Sequence, residues 1–196
     1  TKNCLKKFIK YSNISSSTLL NKLTLIPPTL LCPFTPIIQF SLDNFIKLCV
    51  EVKGVIVATT FASNLARLKT LASAAYQSGR SLVVLGRAMN NMIKYGKESG
   101  ILKDFPDILS PRDAKLVPKS HLLVLASGSQ GEPRAASAQL AREGYMGFTI
   151  GKGDVFLFSS KTIPGNELRV SYIIDQLERK AVSYTHLRAH ETGWYL

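Results

Sequence analysis

The sequence has few cysteines and no long hydrophobic run, and each of these absences excludes a class of protein. Cys4, Cys32 and Cys49 are its only cysteines, and none has the CxxC spacing of a zinc site or a redox pair. The one extended apolar stretch, residues 19–40, is interrupted by four prolines. A membrane-spanning helix is therefore not expected, and a reducing compartment is favoured.

Acidic residues are also scarce. The chain has 13 Asp and Glu against 25 Lys and Arg, for a formal net charge of +12. Residues 54–182 are basic in their own right, with 17 basic and 10 acidic residues. This balance favours a polyanionic partner over a small acidic substrate, although charge alone does not separate RNA from DNA or from a membrane surface.

Catalytic groups are missing from the regular part of the sequence. The acidic residues are scattered, His121 begins an apolar run, and the serines near residues 127 and 159 have no candidate histidine partner. His186 and His190 have i, i+4 spacing but lack a third ligand and a general base. We predict no catalytic residue, no metal ligand and no bound cofactor in this chain.

The first 51 residues differ in composition from the rest. They are rich in Lys, Asn, Ser, Thr, Ile and Leu, and contain no arginine. An organelle transit peptide and translated out-of-frame sequence both fit this composition. We therefore expect residues 1–51 to lie outside the domain. The expected location is a plastid or mitochondrion if they form a transit peptide, and the cytoplasm if the protein is bacterial.

A regular alternation begins near residue 54. Four β-branched or leucine-rich runs, each read as a buried strand, precede helical patterns; they occupy residues 55–59, 82–86, 121–127 and 155–160. In the first helix, the apolar positions that recur at spacings of three and four are Leu65, Leu68, Ala72, Ala75 and Tyr76, and Ser63 is predicted to cap the helix. Residues 101–120 contain three prolines and are interpreted as a surface connection.

Four successive β-α units predict an α/β fold with a parallel sheet and helices on both faces, flanked by poorly structured N- and C-terminal segments. Right-handed crossovers would bring all four strand-to-helix loops to one edge of the sheet. The loops are "TTFASN", "GRAMN", "SGSQGEP" and "SSKTIPGN". Their glycines, short polar side chains, Arg87 and Lys161 are typical of a phosphate-binding edge, although each loop alone fits an ordinary turn equally well.

The motifs "FASN", "GSQGEP" and "IPGNE", in this order, resemble those of ribonuclease J, a bacterial and plastid family of the metallo-β-lactamase class with a β-CASP domain. The resemblance covers about residues 52–182. It implies a β-CASP-like RNA-binding domain that holds RNA against a metallo-β-lactamase domain. The residues that it implies for RNA contact are Ser63, Asn64, Arg87, Ser127, Gly128, Ser129, Gln130, Gly131, Glu132, Lys161 and Asn166.

The family's HxHxDH motif is absent from this chain. The resemblance therefore implies an incomplete and inactive portion of a zinc-dependent 5′–3′ exonuclease and endonuclease, with zinc bound only in the complete enzyme. Its implied partners are RNA, the metallo-β-lactamase domain and, for the full-length enzyme, a second copy in a homodimer. The final residues, 183–196, resemble translated adapter sequence and are expected to be an artefactual tail outside the fold.

Two other interpretations stay open at this point. The first is a stand-alone, non-catalytic RNA-binding module, which a start and a stop codon bounding this segment would favour. The second is a small-molecule enzyme on a flavodoxin-like or Rossmann-like sheet, which would need a pocket with titratable groups. A steep salt dependence of RNA binding would favour an RNA partner.

Overall fold

The structure is a computed structural model that describes residues 37–39 and 42–188, with backbone only for residues 37–39, 187 and 188. All of these residues belong to one compact unit that begins at Ile37. The interpretation of residues 1–36 as a targeting or out-of-frame segment, Cys4, Cys32 and His190 all lie outside the described residues. No described helix is long and apolar enough to cross a bilayer.

Seven strands form one sheet in which every pairing is parallel. The strands are β1 (Ile37–Gln39), β2 (Ile56–Thr59), β3 (Ser81–Leu85), β4 (Ile108–Leu109), β5 (Leu122–Ala126), β6 (Val155–Phe158) and β7 (Ser183–Arg188). Their order across the sheet is β1-β7-β6-β2-β5-β3-β4. The predicted parallel α/β sheet is confirmed, and the four predicted strands are its four central neighbours, β6, β2, β5 and β3.

Helices cover both faces of the sheet. They are α1 (Leu42–Glu51), α2 (Leu65–Gln77), α3 (Arg87–Glu98), α4 (Ala136–Arg142) and α5 (Glu167–Arg179), with two short 3₁₀ turns at Asp113–Leu116 and Lys119–His121. Helices α1, α2 and α3 share one hydrophobic cluster with one face of the central strands. Helices α4 and α5 share a second cluster with the other face.

The alternation of side chains along each strand produces these two clusters. In β2, Ile56 and Ala58 face α2, whereas Val57 faces the α4 and α5 layer, and all three are 0–1% exposed. Strands buried on both faces are continuously apolar because neither face contacts water. This is why these strands are recognisable in the sequence as unbroken hydrophobic runs.

Helix α2 begins one residue later than the sequence suggests. Its cap is Asn64 rather than Ser63, since the Asn64 side chain accepts a hydrogen bond from the Arg67 amide at 3.0 Å. Leu68, Leu71 and Ala75 then lie buried against the sheet. The predicted helical face is correct except for Tyr76, which is 76% exposed, and the capping residue also changes.

Regular structure is described on both sides of the predicted domain limits at residues 52 and 182. Helix α1 buries Phe45 and Cys49, and Ser183–Arg188 pairs with β6 as the strand β7. The apolar spacing of Leu42, Phe45 and Cys49 is helical, which explains why this stretch packs although its composition resembles the preceding residues. Residues 101–120 also contain β4 in addition to their turns.

Two buried polar side chains hold the edge of the sheet at which the strands begin. The Arg80 guanidinium is 5% exposed and donates to four backbone carbonyls, of Cys49, Val52, Gly54 and Leu122. The Asp154 carboxylate accepts from the amides of Val55 and Gly151, both at 2.9 Å, and from Lys119 Nζ at 2.7 Å. All of these hydrogen-bond partners belong to the fold itself. Arg80 and Asp154 therefore fasten together the segments at this edge of the sheet, and we call the two side chains the clamp.

Candidate functional site

The four loops singled out in the sequence lie side by side. Because β6, β2, β5 and β3 are adjacent and parallel, the loops that follow them leave from the same edge of the sheet. The strands end level with one another, as the pairing of Thr59 with both Ala126 and Phe158 shows. Three strand spacings make this edge about 14 Å long. We call it the rim; it comprises residues 60–64, 86–87, 127–135 and 159–166.

The connections that follow β2 and β6 diverge, and we call the position between the ends of these two strands the crevice. The loop after β2 leads into α2 on one face, and the loop after β6 leads into α5 on the opposite face. Neighbouring parallel strands whose connections diverge in this way leave a gap above their carboxyl ends, and this gap is where ligands bind in open α/β sheets. The crevice is therefore one position in this fold that suits a ligand, and the ends of β5 and β3, whose connections also diverge, are a second.

Three hydroxyl side chains lie in this crevice. Thr60 Oγ1 donates to the Ser159 carbonyl at 3.2 Å. The Oγ atoms of Ser159 and Ser160 are both buried and have no hydrogen-bond partner among the described residues. Buried polar atoms are nearly always paired, because an unpaired one costs roughly 1–3 kcal/mol. Two adjacent unpaired hydroxyls at a crevice are the pattern expected of groups whose partner is a ligand.

The loop of residues 127–135 is rigid because it is packed on both sides. Gly128 has φ 103°, and its carbonyl accepts from Ser137 Oγ at 2.7 Å. Gly131 has φ 76°, and a Cβ there would lie 2.5 Å from the carbonyl carbon of Arg169 in α5. Both positions require glycine, because a side chain would be strained and would collide with its neighbour. The glycines of this loop therefore serve close packing.

Gln130 joins two of the rim loops. Its Nε2 donates to the Lys161 carbonyl at 3.0 Å, and its Oε1 accepts from the Ile163 amide at 2.8 Å. The side chain is 5% exposed, so both bonds are shielded from water. Gln130, predicted as an RNA contact, thus uses its amide to fix the loop that carries Lys161.

The remaining predicted residues divide into exposed and internal groups. Those with exposed side chains are Ser63, Asn64, Arg87, Glu132 and Lys161, whereas Ser127, Gly128 and Asn166 are half-buried and Ser129 and Gly131 are buried. Asn64 is committed to capping α2, and Glu132 accepts from the Gln130 amide at 3.2 Å. Ser63, Arg87 and Lys161 are the predicted residues with exposed side chains and no such commitment.

Backbone hydrogen bonds also join neighbouring strand ends at the rim, including those of β2 and β6. The Ser127 amide donates to the Leu85 carbonyl at 3.0 Å, and a Cβ on Gly86 would collide with the Ser127 side chain. The Ser159 amide donates to the Thr59 carbonyl at 2.8 Å. The four loops consequently form one connected surface, and its cationic side chains have fixed backbone positions.

Sequence reasoning missed the hydroxyls of Thr60, Ser159 and Ser160 as site residues. Each falls inside a loop that was recognised, and the run of Thr or Ser directly after a strand was the available signal. Which hydroxyls are unpaired depends on contacts between segments about 100 residues apart, such as Thr60 to Ser159. That information is not present in either loop alone.

The charged side chains of the rim are Arg87, Arg134 and Lys161 against Glu132. Among residues 42–188, no three His, Cys, Asp or Glu side chains come together as a metal ion requires. Next to the rim, burial lowers the pKa of the Arg67 guanidinium from its usual value. The rim can donate hydrogen bonds and supply positive charge, which suits holding an anion.

Comparison with known proteins adds an independent line of evidence. A family model described as "Ribonuclease J, beta-CASP domain" matches residues 53–177. The chain is similar to ribonuclease J of Sinorhizobium meliloti, with 32% identity over 71% of this chain and 25% of that protein. It is also similar to ribonuclease J 1 of Streptococcus pyogenes, with 35% identity over 74% of this chain and 26% of that protein.

A third relative has a comparable match. Ribonuclease J of Synechocystis is 33% identical over 73% of this chain and 22% of that protein. The chain spans about a quarter of the length of the curated relatives it matches. Its matched region contains all four rim loops.

Proposed function

The chain belongs to the ribonuclease J β-CASP domain family, and on that premise we propose that it is the RNA-holding portion of a zinc-dependent ribonuclease of this type. The enzyme would act in RNA processing and decay as a 5′–3′ exonuclease and endonuclease. Its partners would be RNA and a metallo-β-lactamase domain. The observation that carries the proposal is the pair of buried, unpaired hydroxyls of Ser159 and Ser160 in the crevice of a basic rim.

These hydroxyls match the chemistry of an RNA backbone. A phosphate presents oxygen atoms that accept hydrogen bonds, and Ser159 and Ser160 each have a hydroxyl proton to donate. Lys161 follows directly and is exposed, and Arg87 begins α3 further along the rim. A phosphate has several acceptor oxygens, and a hydrogen bond to a charged acceptor is stronger than one between neutral groups, so a phosphate is the ligand class that suits this pair of donors.

The hydrolytic step is not assigned to these residues. The side chains described do not fit a zinc centre, since no group of three candidate ligands exists in this part of the chain. We propose that the chain as given holds RNA without cleaving it. Incubation of the purified chain with zinc and single-stranded RNA should leave the RNA intact, whereas turnover that depends on this protein would contradict this part of the proposal.

Binding can be measured with a labelled, single-stranded oligouridylate by fluorescence anisotropy. The variant Ser159→Ala/Ser160→Ala should bind more weakly, while its melting temperature stays the same or rises, because each lost hydroxyl had no partner in the fold. Ser81→Ala is the matched control, since Ser81 is an exposed serine at the opposite end of β3. The control should match the wild type in both affinity and melting temperature.

Salt provides a second readout of the same complex. The logarithm of the affinity should fall with the logarithm of the salt concentration by about 0.7 for each phosphate neutralised on a single strand. A slope near zero would contradict a phosphate-holding rim. Equal affinities for the double variant and the wild type would contradict the assignment to Ser159 and Ser160.

A further inference from the structure

The two helical layers differ in charge. Helices α2 and α3, on one face of the sheet, contain Arg67, Lys69, Arg87, Lys94 and Lys97 against Glu98 alone, for a net charge of +4. Helix α1 of the same layer adds Lys47 against Asp43 and Glu51, so the whole layer has a net charge of +3. Helices α4 and α5, on the other face, contain three arginines against Glu167, Asp175 and Glu178, for a net charge of zero. A polyanion that leaves the rim would therefore be attracted to the α2 and α3 layer.

Several of these cations are available on the surface. Lys69, Arg87 and Lys94 are exposed, and Lys94 keeps 72% of its side chain accessible although Glu98 lies 3.9 Å away. Exposed ion pairs of this length contribute little and are readily exchanged for another anion. Lys97 differs, because its Nζ lies over the Phe105 ring at 5.5 Å.

Two tyrosines are exposed among these cations. Tyr76 of α2 is 76% exposed and Tyr95 of α3 is 61% exposed. Lys69 and Tyr76 are seven residues apart in α2, and Arg87, Lys94 and Tyr95 have spacings of seven and eight in α3, which places each set on one helical face. A large aromatic side chain exposed to this degree on a basic helix is typical of single-stranded nucleic-acid surfaces, where it stacks on a base.

The arrangement also has a direction. Both helices begin at the rim and run away from it, since each follows a strand that ends there. Tyr95 lies about 12 Å and Tyr76 about 16 Å along their helices from the rim. Arg87, at the first residue of α3, belongs to both surfaces and connects them.

We propose that Lys69, Tyr76, Arg87, Lys94 and Tyr95 form a second RNA contact, the basic helical face. It takes the single-stranded segment that extends beyond the nucleotides held at the rim. This inference rests on the proposed RNA-holding function. Bases stack on Tyr76 and Tyr95, and the three cations neutralise backbone phosphates, so the contact is independent of RNA sequence.

Oligouridylates of two lengths, about 4 and about 20 nucleotides, test the inference because only the longer one can reach both surfaces. Affinities are measured by anisotropy for the wild type and for Lys94→Gln/Tyr95→Ala. The control variant is Tyr172→Ala/Arg179→Gln, which removes one exposed tyrosine and one cation from α5 on the opposite layer. All three proteins are compared by thermal melting first.

The variant in α3 should bind the long oligonucleotide at least about fivefold more weakly than the wild type. The slope of its log affinity against log salt concentration should be smaller in magnitude by about 0.7. Its affinity for the short oligonucleotide should be unchanged, and the control variant should bind both lengths normally. An unchanged affinity for the long RNA, or an equal loss in the control, would overturn the inference.

The two proposals fail in different ways. If the wild type binds the short RNA but the α3 variant keeps full affinity for the long one, the basic helical face is refuted and the rim stands. If the wild type binds neither length at low salt, both proposals are refuted. A loss of short-RNA affinity in the α3 variant would overturn the separation of the two surfaces.

Discussion

Replacing Gln130 with alanine should both destabilise the protein and weaken RNA binding. The side chain makes two hydrogen bonds, at 3.0 Å to the Lys161 carbonyl and at 2.8 Å from the Ile163 amide, and it is 5% exposed. Each lost bond costs about 1 kcal/mol, and a buried group left without a partner adds to this loss. The free energy of unfolding should therefore fall by about 2–4 kcal/mol.

Urea unfolding followed by circular dichroism measures this loss, with the midpoint shifting and the slope unchanged. RNA affinity should fall as well, under conditions where the variant is still folded, since the loop that carries Lys161 would no longer be fixed. Gln139→Ala is the matched control, because Gln139 makes one exposed hydrogen bond, to the Arg134 carbonyl. If Gln130→Ala is no more destabilising than this control, the two loops are not coupled as described.

Three further predictions concern stability. Gly131→Ala should lower the free energy of unfolding in urea by more than about 2 kcal/mol, because residue 131 has a positive φ and lies against α5. Gly79 has a similar φ but open space around it, so Gly79→Ala should lower this free energy by only about 1 kcal/mol. Arg80→Lys should lower the free energy of unfolding by about 3 kcal/mol in the same assay, because an ammonium group cannot donate to all four carbonyls. A loss of less than about 1 kcal/mol would contradict the role of Arg80 in the clamp. Burial raises the pKa of Cys49 to about 11. Because the thiol ionises at a lower pH in the unfolded chain than in the folded protein, the free energy of unfolding should fall between pH 9 and 11. Cys49→Ala should lack this fall.

The centre of the fold could be predicted from the sequence, whereas its edges could not. Strands β2, β3, β5 and β6 are apolar on both faces, and that pattern is unambiguous beside an amphipathic helix. By contrast, β4 has only two residues and β7 alternates polar and apolar side chains. Short or polar strands are recognised only when their neighbours are known.

Helix α1 was missed for a different reason. Its apolar residues, Phe45 and Cys49 among them, have helical spacing, but they follow a long segment whose composition is irregular. Its attachment depends on Arg80, which is 31 residues from Cys49 and whose buried guanidinium holds the end of the helix. Contacts of this kind are set by the tertiary fold and leave no local signal.

The sequence predicted which loops form the candidate site, but it did not predict which of their polar groups are left unpaired. Parallel topology brings the loops to one edge, so their common location follows from the β-α alternation. The alternation does not reveal which rim residues stabilise the loops and which are left to bind a ligand. Gln130 and Glu132 serve the loop itself, while the unpaired hydroxyls of Ser159 and Ser160 emerge only from the pairing of β2 with β6.

The most direct test is a two-dimensional amide NMR titration of the chain with a short, 5′-phosphorylated RNA. The largest shifts should come from rim residues, above all 159–163 and 127–132, because their amides surround the crevice. Amides near the clamp at Arg80 and Asp154, on the opposite edge of the sheet, should not move. Shifts concentrated at that opposite edge, or none at all at low salt, would contradict the account.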